Sequence, residues 1–190
     1  MRSNTRFCRD FAVAGLLSAG LMIAVASPAA AQTGGATAPG GSAPPAAPTT
    51  GKPGKAKLLA NGKAVAPAGA PIQVVNAIAA ANRIRKKPYI YGGGHQSFDS
   101  KGYDCSGAVS YALNAAGMLT SPMPSGPLMS WGEPGKGRWI SVYANGGHAY
   151  AVIAGLRWDT SAMGSGGNGP RWRATKRSPK SFTVRHYDGF

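Results

Sequence analysis

The chain has 190 residues, of which 21 are Lys or Arg and only six are Asp or Glu, giving a formal charge of +15. So few acids exclude a long salt-bridged helical array, and the length holds one ordinary domain with extra segments but not two full-sized ones. Beyond the leader, no apolar run approaches the roughly 18 residues of a membrane-spanning helix. A small basic domain behind an extended leader remains.

Arg2, Arg6 and Arg9 make a positive start, an apolar stretch runs from Phe11 to about Ser27, and Ala29-Ala30-Ala31 supplies the small residues of a cleavage site. Residues 1–31 therefore read as a general secretory signal peptide rather than an anchor, because the apolar run is short and has no basic stop-transfer flank. The mature chain is expected to begin at Gln32, with no membrane contact after the signal is removed. N-terminal sequencing of exported protein is the check, and an intact Arg2 leader would overturn it. Loss of Arg2, Arg6, Arg9 and Asp10 leaves eighteen bases, five acids and a net charge of +13. It also removes Cys8. Cys105 is then a lone thiol in an oxidising compartment, where it is either an intermolecular link or a group kept for its reactivity.

Residues 32–68 are rich in Pro, Gly and Ala, with Leu58 and Leu59 as their bulky apolar residues, so they read as an extended, disordered linker. The folded domain is expected over 69–190. Val74, Ile78, Ala81 and Ile84 recur at helical spacing from Pro71, and Arg83, Arg85, Lys86 and Lys87 gather at the helix end before Pro88 stops it. A second helix is expected from Cys105 to Ala116, capped by Asp104 and followed by Gly117. Residues 121–137 read as loop. Strands are expected over 139–143, 148–154, 156–160 and 181–187, the second after a turn at Asn145-Gly146-Gly147. Helices followed by an antiparallel sheet give an α+β domain.

The second helix bears on the chemistry of its first residue. Unpaired N–H groups and the helix dipole at Cys105 favour a thiolate, and the same N–H groups suit the oxyanion of a tetrahedral intermediate. A nucleophilic thiol needs a base. His148 opens an apolar strand after a Gly-Gly turn, which places it at a sheet edge or cleft. Asp159 follows eleven residues later, after a turn at Gly155, and is the candidate to orient the imidazole. His186 is a rival for that third place. His95, in Gly92-Gly93-Gly94-His95, reads as a turn residue.

At these residues the chain resembles a family. PYIYGGG at 88–94, GYDCSGAVSYAL at 102–113 and GGHAYAVIAG at 146–155 are similar to NlpC/P60 cell-wall cysteine peptidases in content, order and spacing. The resemblance covers roughly residues 71–160. It implies a papain-like α+β fold, with N-terminal helices packed on an antiparallel sheet. It also implies hydrolysis of peptidoglycan stem peptides, often between D-glutamate and diaminopimelate. Cys105 matches the nucleophile, His148 the base and Tyr89 a tyrosine that holds substrate or oxyanion. Ser106, beside the nucleophile, is placed in that substrate or oxyanion group. The family's third residue is usually His, Asn or Gln about twelve positions after the base, where this chain has Asp159 and Thr160. The Pro-Gly-Asp that usually precedes the strand before the base is replaced by Gly137-Arg138-Trp139, and the Gly- and Arg-rich residues 161–190 form an extension without a counterpart.

Gly164 to Gly169 meets the dinucleotide-binding pattern by letters, but Pro170 follows where a helix is required. No His or Cys pair has zinc spacing, so neither metal nor cofactor is expected. The positive charge is expected to draw the protein to peptidoglycan and anionic envelope polymers rather than to nucleic acid. The expectation is a monomeric, secreted or periplasmic, cell-wall-associated thiol peptidase. A non-catalytic envelope-binding protein on the same fold, and a thiol amidase or acyltransferase on another substrate, are the alternatives.

Overall fold

A computed structural model describes residues 52–161 and 169–190. The signal-peptide assignment and the glycine run at 164–168 lie outside the described residues. Among the described residues no helix is long and apolar enough to cross a membrane.

Strands β1 (Lys57–Leu58) and β2 (Ala64–Val65) pair as a small hairpin, followed by helices α1 (Ile72–Ile84) and α2 (Cys105–Ala115) and a single turn, α3 (Ser125–Leu128). Then come β3 (Glu133–Pro134), β4 (Ile140–Asn145), β5 (His148–Ile153), β6 (Leu156–Asp159), β7 (Arg171–Arg173) and β8 (Thr183–His186). These last six form one antiparallel sheet in the order β3-β8-β4-β5-β6-β7. Helix α1 lies against α2, and α2 lies on β5 and β6. The domain is α+β, as the order of the sequence patterns requires.

The stretch read as linker as far as residue 68 contains a hairpin docked on the domain. Ala56 and Ala64 are buried, and the Ala56 N–H donates to the carbonyl of Ala154 at 2.8 Å. Its signal was Asn61-Gly62, a strong hairpin turn pair, with Gly62 at φ 77°. The side chain of Asn82 on α1 then acts as a further strand for this hairpin. Its Oδ1 accepts from the Ala64 N–H at 2.9 Å and its Nδ2 donates to the Ala64 carbonyl at 2.8 Å. Strands β3 and β7 and the turn α3 were also not foreseen, because segments of two to four residues are too short to show a period.

Helix α2 has well-formed ends. Asp104 Oδ1 accepts from the Gly107 N–H at 2.8 Å. At the other end the Met118 N–H donates to Leu113 and the Gly117 N–H to Asn114, at 2.9 and 2.8 Å, with Gly117 at φ 72°. Its apolar side meets the sheet, where Trp158 Nε1 donates to the Ala108 carbonyl at 3.0 Å. Gly107 sits where the first turn of α2 crosses the loop at 93–94, and a Cβ there would overlap the carbonyl oxygen of Gly93. Gly107→Ala is therefore expected to destabilise the domain by about 1–3 kcal/mol or more, read by urea denaturation. Ala at Gly126, where a Cβ meets nothing within 4 Å, is the control.

Candidate active site

Cys105 is the first residue of α2, 8% exposed and unpaired by any disulfide. Its sulfur accepts a hydrogen bond from the Ala149 N–H and is bonded to the His148 ring. His148 Nε2 lies 2.9 Å from Asp159 Oδ1, so the other ring nitrogen, Nδ1, is the one that faces the thiol.

The β5–β6 hairpin brings the carboxylate to the imidazole. Ala154 and Gly155 have φ of 45° and 81°, a two-residue turn with both centres left-handed, the kind that matches strand twist. The turn sets Ile153 opposite Leu156 and Val152 opposite Arg157. Continued to the strand end, this register puts Asp159 opposite Tyr150, two positions from His148 and on the same face.

Asp159 is 2% exposed and fully engaged. Its Oδ1 also accepts from the Ser161 N–H at 2.9 Å and the Ser161 hydroxyl at 2.8 Å. Its Oδ2 accepts from Arg177 Nη1 at 3.2 Å and lies 3.3 Å from Arg157 Nε. Arg177 comes from the extension after β7, reaches the Ser161 hydroxyl at 2.7 Å, and stacks its guanidinium over the rings of Tyr150 and Phe182 at 5.6 and 5.2 Å. Sequence reading did not find Arg157 and Arg177. Arg157 sits two residues before Asp159 on the same strand face, which was a usable signal; Arg177 had none.

Charge organises the three groups. Burial pushes the Cys105 thiol up, but the His148 hydrogen bond, the Ala149 N–H and the imidazolium charge outweigh it and hold the thiol below its ordinary value. Burial lowers His148, yet Asp159 and Cys105 together raise it from 6.5 to about 9. Burial likewise opposes ionisation of Asp159, and the hydrogen bonds from His148 and Ser161 reverse this and hold it well below the usual carboxylate range. The three titrate as a unit.

The sign of each shift fixes a pH profile. The raised His148 stabilises the fold fully below pH 6.5, and that contribution is lost as pH rises through about 9. The depressed Asp159 stabilises the fold above its ordinary value of 3.8 and loses that contribution as pH falls below it. Melting temperature is expected to be flat between about pH 4 and 6.5, to fall below that window, and to fall again as pH rises from 6.5 through about 9. In Asp159→Asn the acid-side fall should shrink, and the alkaline fall should move from about 9 toward 6.5. Thermal melts across pH read both slopes.

The remaining residues separate clearly. Tyr89 is 40% exposed, and its hydroxyl is raised first by burial and then by the charge of Cys105, so it stands near the thiol. Ser106 is buried, and its hydroxyl points into a network with Asp104 Oδ1 at 3.2 Å and His95 Nε2 at 3.0 Å, leaving only its backbone N–H toward the helix start. His95 keeps its turn, donating its N–H to the Gly92 carbonyl at 3.2 Å, but its ring also meets Asp104 Oδ2 at 2.9 Å. Thr160 is buried beside Asp159, and its hydroxyl has no hydrogen-bond partner among the described residues. His186 pairs with Glu133, two strands from β5, and its Nδ1 lies 3.3 Å from the Gly135 carbonyl. Of the three rivals, the structure brings only Asp159 to the imidazole. Among the described residues no cluster of three His, Cys, Asp or Glu side chains is arranged to hold a metal ion.

No protein-family model and no curated protein matches this chain. Solved structures similar to it include the peptidoglycan hydrolase RipB from Mycobacterium tuberculosis, at 25% identity and a TM-score of 0.46, over 60% of this chain and 64% of that one. A hypothetical invasion protein of Mycobacterium tuberculosis is similar at 21% identity and a TM-score of 0.44, over 60% and 62%. An NlpC/P60 family protein from Bacillus cereus is similar at 18% identity and a TM-score of 0.46, over 60% and 40%. The similar region spans less than two thirds of the length of each of these structures.

Proposed function

We propose that this chain is an exported cysteine hydrolase of the NlpC/P60 type that cleaves an amide bond of peptidoglycan stem peptides, the D-glutamyl–diaminopimelate bond being the expected target. The observation that carries this reading is one imidazole bonded to a helix-start thiol on one side and to a buried carboxylate on the other. That is the constellation a thiol hydrolase needs. The resemblance of residues 88–94, 102–113 and 146–155 to that family supplies the substrate class.

In this reading Nδ1 of His148 takes the Cys105 proton, and Asp159 holds the resulting imidazolium through Nε2. The thiolate attacks the amide carbonyl, forming a carbon–sulfur bond, while the carbonyl oxygen takes the negative charge. The N–H groups of the first turn of α2, including that of Ser106, face that charge, and Tyr89 stands beside it. Collapse breaks the carbon–nitrogen bond, and His148 returns its proton to the leaving amine. Water, deprotonated by His148, then attacks the thioester and releases a carboxylic acid and the free thiol. The products are one acid and one amine for each water consumed.

Mass spectrometry of muropeptides before and after incubation with the purified protein tests this reading. New fragments with a free diaminopimelate amine are expected. Unchanged muropeptides from a folded protein would leave an envelope-binding role.

A further inference from the structure

On the sheet face turned away from α2 lies a cleft of about 450 Å³ that the thiol chemistry does not use. Trp158 points to the helix, so its neighbour Arg157 points the other way, as do Ser141 and Tyr143 beside the buried Val142. Four separate stretches of chain send cations into this one space. They are Lys55, Lys136 with Arg138, Arg157, and Lys176 with Arg177. No Asp or Glu stands among the described residues that line it.

Gathering like charges in a concave space is unfavourable unless something negative enters. Arg157 shows the strain: burial first, then the charges of Arg177 and Arg173, lower its guanidinium from its ordinary value, against the pull of Asp159. At 2% exposure it is a buried charge at the base of the cleft. Arg157 and Arg177 share a single carboxylate oxygen, Asp159 Oδ2, whose partner oxygen serves His148. Lys55, Lys136 and Lys176 stand exposed around the opening.

We propose that this cleft binds a phosphate-bearing ligand, apart from the site that holds Cys105. Several charges must fit into a small volume. A phosphate group carries up to about two negative charges and three acceptor oxygens, against one charge and two oxygens for a carboxylate. Lysine ammonium groups bind such oxyanions as point charges without fixed geometry, which suits Lys55, Lys136 and Lys176 around the opening.

Tripolyphosphate and triglutamate, titrated into the purified protein at fixed ionic strength, test the proposal by calorimetry. Saturable one-to-one binding of tripolyphosphate is expected, tighter than that of triglutamate. Lys136→Ala with Lys176→Ala should weaken it about tenfold or more, since each lost contact to a charged group is worth on the order of a few-fold to tenfold in affinity. Lys86→Ala with Lys101→Ala removes the same charge from exposed positions outside the cleft and should change it little. Equal weakening by both pairs would show a general field and overturn the proposal. So would triglutamate binding as tightly as tripolyphosphate, or the absence of saturable binding. Binding should persist in Cys105→Ala, so the cleft and the hydrolase reading fail or stand separately.

Discussion

Cys105→Ala is expected to abolish turnover, with a loss on the order of 10⁶-fold, the size found when a triad hydrolase loses its nucleophile. No second thiol exists beyond Cys8 in the leader, and Ser106, the nearest hydroxyl in sequence, is turned into the buried network with His95 and Asp104. The same thiol is expected to alkylate with iodoacetamide well below pH 8.5, the value of a free cysteine. His148→Ala should raise the pH at which alkylation sets in, because the hydrogen bond and charge that hold the thiol down are gone. Rates of alkylation across pH, with and without His148, measure this. A thiol that reacts only above pH 8.5 in both proteins would be a packed side chain and not a nucleophile.

Asp159→Ala is expected to have the second largest effect, because this carboxylate serves two ends. It holds His148 in the tautomer that keeps Nδ1 toward the thiol, and removing such a group from a triad costs roughly 10⁴-fold in rate. It also supplies the negative charge shared by Arg157 and Arg177. Removing one partner from buried ion pairs costs about 3–5 kcal/mol, so the melting temperature should fall together with the rate. Asp159→Asn keeps the shape and a hydrogen-bonding oxygen, and a smaller loss of rate is expected. The alkaline limb of its rate profile should move down from about 9, since the carboxylate is what lifts the imidazole. Full activity in Asp159→Ala, with a dead His186→Ala, would assign the orienting role to the last strand instead.

Much of this arrangement was legible in the chain itself. Asp104 before Cys105 and Gly117 after Ala116 mark both ends of α2, because capping chemistry is local and needs few residues to declare itself. The lone thiol singled out Cys105, and Gly155 between two apolar runs pointed to the hairpin that returns Asp159 to His148. What remained hidden depends on distant pairing. Arg177 meets Asp159 across eighteen residues that include the glycine run, and no periodicity carries that information. Asn82 reaches the hairpin at Ala64 and also accepts from Trp172 Nε1 at 2.9 Å, ninety residues away, contacts that only tertiary packing creates. Ser106 was placed beside the nucleophile in the substrate or oxyanion group, but the inward turn of its hydroxyl to Asp104 and His95 depends on the loop at His95, which its own position in the chain does not announce.

The two borders of the large sheet bear on how the protein behaves in a crowd. At one border β3 offers two residues, one of them Pro134, which has no N–H to give. At the other, β7 offers three, with Arg171 and Arg173 on either side of Trp172. A neighbouring chain that tried to extend the sheet would find little open ladder and, on the β7 side, two positive charges facing its own. Such short, charged or proline-bearing margins discourage strand-to-strand aggregation, so a protein at high local concentration on a surface can be held there by its charge without seeding fibres.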